Sequence, residues 1–103
     1  MAEACISAGI CGFETTVSVE DLGDYQFKLK FITKCPNIPK MAADIETVNV
    51  MDELFKKGES KVLNAAVKHL PHVSCPVPSG TLKALEVTAG MALPKDASIT
   101  IKK

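Results

Sequence analysis

Two segments near the start of the chain alternate in polarity, and this pattern limits the fold more than any other feature. From residue 13 to 19 and again from 25 to 31, the residues of one parity are apolar, apart from a single threonine. Such alternation is typical of strands with one buried and one solvated face. Gly23 lies in the acidic segment between them and supplies a turn. The two segments therefore predict an antiparallel hairpin whose inward row holds four of the five aromatic residues.

Apolar residues at helical spacing predict three helices after the hairpin. The first runs from 37 to about 57 with a bend near Asn49, the second from 60 to 70, and the third from 79 to 90. Alternation over residues 97–101 predicts a last strand that joins the hairpin. This β-β-α-α-α-β order indicates an α+β fold, in which helices cover one face of a small antiparallel or mixed sheet.

Composition excludes several classes of function. With 103 residues, of which 47% are apolar, the chain is expected to form a single domain over residues 1–103. The 12 lysines balance 12 acidic residues and there is no arginine, so a broad basic surface for nucleic acid is excluded. The aromatic row is therefore expected in the core rather than on an RNA-stacking surface. No apolar run is long enough to span a membrane, so no membrane partner is expected.

Cysteine content points to a reducing compartment. The chain contains Cys5, Cys11, Cys35 and Cys75, an even number that permits two disulfides in three pairings. However, the first residues form neither a basic region nor an apolar core typical of a signal peptide, so a cytoplasmic location is expected. Cytoplasmic thiols stay reduced, and clustered cysteines there are more often ligands or catalysts than bridges.

The cysteines stand in segments that suit sulfur chemistry. Cys35-Pro36 and Cys75-Pro76 each precede a predicted helix, whose free N–H groups and positive field stabilise a thiolate. Cys11 lies in a glycine-containing segment over residues 1–12, which is expected to be a loop. Because the hairpin strands are antiparallel, the residues just before the first strand and just after the second, Cys11 and Cys35, are predicted at the same end.

These placements predict a metal site. The expected metal ligands are Cys5, Cys11, Cys35, Cys75 and His72. His72 is included because it precedes Cys75 by three residues, although it could instead donate a hydrogen bond to a sulfur. An isolated site of four thiolates is most often zinc, whereas a Cys-Pro step also occurs in iron–sulfur motifs. The sequence does not decide between zinc and an iron–sulfur cluster, because the C-x5-C spacing is looser than the common patterns of either.

Two other functions remain possible. In the first, the protein is a metal-free sulfur carrier or redox protein, with Cys75 as nucleophile and Cys35 or Cys11 as the resolving thiol. The absence of C-x-x-C counts against a thioredoxin-like mechanism. In the second, it is a metal-free protein-interaction module with an exposed apolar patch. No nucleophile elbow, phosphate-binding loop or dinucleotide motif is present, so the sequence assigns no catalytic or cofactor-binding residue and leaves enzymatic activity and oligomeric state open.

The other charged residues predict no site. Two acidic pairs, Asp44 with Glu46 and Asp52 with Glu53, are expected on solvated helix faces. His69 lies near the end of the second predicted helix, where a protonated imidazole would interact favourably with the helix dipole. We therefore expect His69 to be structural.

Three segments carry a resemblance to a known family. They are Cys5-x5-Cys11-Gly12-Phe13, Cys35-Pro36 and His72-x2-Cys75-Pro76-Val77-Pro78. Together they resemble a small, functionally uncharacterised family of four-cysteine proteins from anaerobic prokaryotes, and the resemblance covers essentially the whole chain. It implies no activity and no catalytic residue. It does imply a cytoplasmic protein of a reducing habitat, in which oxygen-sensitive metal centres survive.

Overall fold

A computed structural model describes the whole chain, residues 1–103. In chain order the elements are β1 (Ala2–Ser7), β2 (Glu14–Gly23), β3 (Gln26–Thr33), α1 (Ile38–Asp44), β4 (Thr47–Asn49), α2 (Val50–Leu54), α3 (Lys61–His69) and α4 (Val77–Thr88). The four strands form one antiparallel sheet in the order β1-β2-β3-β4. The α+β class and the hairpin followed by helices are confirmed. No helix has the length and apolar content needed to cross a membrane.

The helices cover one face of the sheet, and the alternation of β2 and β3 produces this arrangement. Val17, Val19, Phe27 and Leu29 are buried against the helices, while the residues between them face solvent or are half-buried. The helical and connecting residues of the core are Ile38, Met41, Ile45, Val50, Val62, Ala65, Ala66, Val77, Ala84 and Leu85. Tyr25 was expected in the inward row but is 65% exposed, because it lies in the turn between the two strands.

Residues 2–7 form a strand, so the prediction of a loop over residues 1–12 is wrong for them and holds only for residues 8–12. Residues 2–7 pair with β2 without interruption, from Ala2 opposite Val19 to Ser7 opposite Glu14. Alternate residues of β1 are half-buried, and Ile6 packs against the core. The small side chains of this segment hid the alternation, since alanine and serine give little contrast in hydropathy.

Residues 97–101 do not form the predicted last strand. The chain after α4 has no regular structure from residue 93 onward, and Ile99 and Ile101 are 81% and 89% exposed. The hairpin is flanked instead by β1 on one side and by the short β4 on the other. The pattern of residues 97–101 is that of a strand, but nothing in the molecule pairs with it.

The helices differ from prediction at their ends. The first predicted helix is interrupted after Asp44 by β4, where Val48 pairs with Phe27. Asn49 marks the predicted bend and caps α2, since its side chain accepts the Met51 N–H at 2.8 Å. The third predicted helix begins at Val77 instead of Ser79. Its early proline occupies the first turn, where no N–H is needed.

Glu53 is buried, which contradicts its prediction as part of a solvated face. Its carboxylate accepts hydrogen bonds from the Ser60 hydroxyl and the Val62 N–H, both at 2.9 Å, and from the Lys61 N–H at 2.7 Å. Ser60 in turn accepts the Leu63 N–H at 3.1 Å. Glu53 and Ser60 therefore satisfy the free N–H groups at the start of α3.

Asp44 links two helices. Its Oδ2 lies 2.6 Å from His69 Nε2, which joins the end of α1 to the end of α3. The hydrogen bond with His69 lowers the pKa of the Asp44 carboxyl, and the positive charges of His69 and Lys68 act in the same direction. The structural role expected for His69 therefore operates through a side-chain contact.

Candidate functional site

A cavity of about 100 Å³ lies at the end of the sheet where β2 begins and β3 ends. Its walls come from three connections: the one before β2, the one between β3 and α1, and the one between α3 and α4. Most of the lining is apolar, and Ile38, Leu70 and Val77 contribute to it. Sites for drug-sized ligands usually exceed about 300 Å³, so this cavity suits an ion or a group of a few atoms.

The lining contains four of the five predicted ligands: Cys11, Cys35, Cys75 and His72. They come from all three connections. Cys35 and Cys75 are half-buried and pack against the core, while Cys11 and His72 are exposed at the rim. The hairpin thus places Cys11 and Cys35 at one end of the sheet, and the start of α4 adds Cys75.

A tight turn positions Cys11. The Gly12 N–H donates to the Gly9 carbonyl at 2.9 Å, and the Ala8 N–H donates to the Phe13 carbonyl at 3.1 Å. Gly9 and Gly12 have φ of 91° and 75°, a region that glycine enters without steric cost. The two glycines therefore allow the chain to reverse around Cys11 and return into β2.

Two threonines position Cys35. The Cys35 N–H donates to Thr33 Oγ1 at 3.1 Å, and Thr33 Oγ1 is hydrogen-bonded to Thr15 Oγ1 at 2.8 Å. Thr15 is buried and lines the cavity. Neither threonine was predicted as part of the site. A signal was present for Thr15, because it is a polar residue in an otherwise apolar inward row.

A turn also links His72 to Cys75. The Cys75 N–H donates to the His72 carbonyl at 3.2 Å. Pro76 follows as the N-cap residue of α4 and provides no side-chain hydrogen bond to the first turn. Cys75 therefore stands directly before a helix N-terminus whose N–H groups have no capping side chain.

Cys5 is separate from this group. It lies within β1 rather than in a loop, and it is exposed, whereas its neighbours Ala4 and Ile6 pack against the core. Its strand partner is Thr16, whose hydroxyl donates to Cys5 Sγ at 3.8 Å on the open face of the sheet. Successive residues of a strand point to opposite faces, so the expected convergence of all four cysteines does not occur.

The residues around the cavity do not form a ready-made metal cluster. No three His, Cys, Asp or Glu side chains lie close enough together to hold an ion. None of the four cysteines is paired in a disulfide. Binding of an ion by the cavity residues therefore requires their side chains to turn toward a common point.

Comparison with known proteins gives one match. The model of a family of unknown function (DUF6951) matches residues 2–101. No curated protein and no solved structure matches the chain. An uncharacterised family is what the resemblance implied, while an anaerobic origin and a four-cysteine pattern in its members stay predictions. The family description names no activity.

Proposed function

We propose a function for this chain, which belongs to the family of unknown function DUF6951, from the donor atoms around its cavity. The proposed function is binding of one thiophilic metal ion by Cys11, Cys35, Cys75 and His72. One observation carries it: three thiols and one imidazole, from three connections distant in sequence, line a single small apolar cavity.

The donor set favours zinc over an iron–sulfur cluster. Three cysteines and one histidine are a common ligand set of structural zinc sites, which are tetrahedral and closed. Iron–sulfur clusters usually take four cysteine thiolates. The fourth cysteine, Cys5, is in β1 on the open face, so a cluster at this cavity would lack one thiolate.

The loops supply the movement that binding requires. Cys11, Cys35 and His72 lie outside helices and strands, and Cys75 lies just before α4, so rotation of these side chains breaks no regular hydrogen bond. The apolar lining would shield the thiolates from water and strengthen their attraction to a cation. Since the ion would tie three connections together, its binding energy would add to folding stability.

Metal analysis of a series of cysteine variants tests this proposal. The protein is purified anaerobically without an affinity tag, loaded with zinc, freed of excess metal, and analysed for metal per chain. We expect about one zinc per chain in the wild type, and loss of the bound zinc in Cys35→Ser and Cys75→Ser because each removes a thiolate ligand. His72→Ala should retain zinc with weaker affinity in a chelator competition.

Cys5→Ser is the matched control, because it removes the same chemical group from the open face. It should keep its zinc, and circular dichroism of every variant excludes loss of fold as the cause. Absence of bound metal in the wild type, or equal zinc content in Cys35→Ser, Cys75→Ser and the wild type, would contradict the proposal.

Thiol chemistry at Cys75 is the second candidate, and the uncapped N-terminus of α4 favours it. A thiolate at this position would meet the free N–H groups of the first helical turn. Alkylation of the metal-free protein at neutral pH, followed by peptide mass spectrometry, tests this function. A sulfur-transfer or redox role requires Cys75 to react faster than Cys5, although Cys5 is the more exposed of the two, and an equal or slower reaction of Cys75 would exclude it.

The location that we propose for this protein is a reducing cytoplasm. A reducing cytoplasm keeps the four thiols free, and the structure contains no disulfide. An anaerobic host would protect thiolate ligands from oxidation. Metal content in protein purified with and without oxygen tests this part, since oxidised cysteines bind no zinc.

A further inference from the structure

One edge of the sheet is open to another strand. β1 has a partner strand on one side only, β2, with which it pairs over six residues without a bulge. On its other side no strand is present, and Ala2 alone donates its N–H to a helix side chain, that of Thr88. Natural edge strands are usually protected by prolines, lysines, bulges or very short length. Residues 2–7 contain no proline and no lysine, and Glu3 is their one charged residue. The opposite edge, β4, has three residues and offers a much shorter template.

The same molecule contains a strand-like segment without a partner. Residues 97–101 read Ala-Ser-Ile-Thr-Ile and alternate between apolar and polar side chains. Every residue of this segment is exposed, including Ile99 at 81% and Ile101 at 89%. Exposed β-branched residues in strict alternation are typical of a strand that becomes half-buried when it pairs.

We propose that residues 97–101 of one chain add as a strand to the β1 edge of a second copy, so that two chains exchange C-terminal segments. The two elements match in their alternation. Ile99 and Ile101 would extend the row of Ala4 and Ile6 under α4, while the hydroxyl residues of the segment would join Cys5 on the open face.

Charge also favours this pairing. Residues 95–103 contain three lysines and one aspartate, whereas β1 contains a single charge, that of Glu3. The lysines flank the added strand, at 95, 102 and 103, and would lie near the one carboxylate of β1. A second copy of β1 would bring another glutamate instead, so charge favours residues 97–101 over β1 as the partner.

Within one copy, the segment and the β1 edge both stay unpaired. α4 ends beside the start of β1, where the Ala2 N–H donates to Thr88 Oγ1 at 3.1 Å. The eight residues between Thr88 and residue 97 could span about 26 Å, so the β1 edge of the same chain is within reach of the segment. In a single copy the segment is nevertheless unpaired and exposed. When two copies exchange these segments, each β1 edge gains a partner strand and each segment gains a partner edge. The result is a closed dimer with two-fold symmetry.

Directed disulfide formation tests the pairing and its register. Ser98→Cys and Thr100→Cys place a thiol on the same row as Cys5, and opposed Cβ atoms in paired strands approach closely enough for a disulfide. After mild oxidation with diamide, we expect a covalent dimer in which peptide mass spectrometry maps the bond to Cys5. Ala97→Cys has the opposite parity and is the matched control. Cys5→Ser should abolish the cross-link in each variant.

Light scattering tests the assembly without any cross-link. The wild type is expected to have the mass of two chains, and Ile99→Lys is expected to lose the dimer because it places a charge under α4. Leu93→Lys replaces another exposed apolar residue outside the alternating segment and should leave the dimer intact. A monomeric wild type, a disulfide within one chain, or a dimer that survives Ile99→Lys would overturn the proposal.

Discussion

The two ends of the sheet carry cavities of opposite character. At one end, a cavity of about 100 Å³ is lined by three thiols and an imidazole. At the other end, beside the turn of the hairpin, a cavity of about 410 Å³ is lined by Asp21, Asp24, Tyr25 and mainly apolar residues. The larger cavity is the more open of the two and contains no thiol or imidazole. The two ends therefore differ both in the size of their cavities and in the chemistry of the lining side chains.

The ends differ because they are built differently. Three connections distant in sequence meet at the cysteine end, so its side chains come from independent loops. A two-residue turn closes the other end, and its central residues Asp24 and Tyr25 have φ of 52° and 63°. Positive φ at both positions is the geometry of a type I′ turn, which matches the twist of the strands. Helix α4 connects the two ends, since its first residue, Val77, lines the first cavity and its C-cap residue, Ala89, lines the second.

The largest expected effect is stabilisation by zinc, which should depend on the cysteine end of the sheet and not on the end at the hairpin turn. Zinc at a free concentration about 1,000-fold above its dissociation constant stabilises the folded state by about 4 kcal/mol. We expect this gain in urea unfolding of the wild type, and we expect a chelator to reverse it. The double variant Asp21→Asn/Asp24→Asn changes the other end and should keep the full gain. A zinc effect that depends on Asp21 and Asp24 instead of Cys35 would place the ion at the wrong end.

The second prediction concerns the contact that holds α4 against the sheet. A Cβ at Gly80 would lie 2.5 Å from Cδ1 and 2.7 Å from Cγ1 of Ile6, so any side chain at this position must displace the Ile6 side chain. Gly80→Val is expected to lower the free energy of unfolding by about 2 kcal/mol through overpacking. Ser79→Val adds the same side chain at an exposed neighbour. Equal stability of the two valine variants in urea titrations would show that this contact is unimportant.

The third prediction concerns strain at the turn. A non-glycine residue in the left-handed region costs about 1 to 2 kcal/mol, and glycine loses about 0.5 to 1 kcal/mol through its greater freedom in the unfolded chain. Tyr25→Gly should therefore raise the free energy of unfolding by roughly 0.5 to 1 kcal/mol, since the tyrosine side chain is mostly exposed. Zinc content should not change. A lower melting temperature would mean that the Tyr25 side chain stabilises this end.

The smallest expected effect concerns the Asp44–His69 pair, which holds the last turn of α3. That turn leads into the loop of His72 and Cys75. The hydrogen bond with His69 lowers the pKa of Asp44 below its ordinary value of 3.8. The stabilisation is therefore complete above that value and is lost as pH falls through the lower pKa of the folded state. We expect Asp44→Asn to be less stable than the wild type near neutral pH and to approach it in strong acid. Urea titrations from neutral to strongly acidic pH measure the free energies of unfolding of the wild type and Asp44→Asn. A difference between them that does not change with pH would exclude this coupling.

Local patterns in the sequence predicted much of the hairpin and part of the site. The alternation of β2 and β3 depends on residues adjacent in sequence, and consecutive antiparallel strands place their flanking residues at one end. This is why the sequence alone predicts Cys11 and Cys35 at the same end of the sheet. The start of the second predicted helix at residue 60 also agrees with the structure, in which the Ser60 side chain accepts the Leu63 N–H and so caps α3.

The sequence by itself determined the α+β class, the hairpin, and the supply of thiols near one end, because these follow from periodicity and short-range geometry. Only the tertiary structure decided that residues 2–7 form a strand, that Cys5 therefore faces away from the cavity, and that Glu53 is buried. It also decided that residues 97–101 have no partner within the chain. These outcomes depend on which distant segment packs against which, and a strand gains its stabilisation only when a partner strand satisfies its backbone hydrogen bonds.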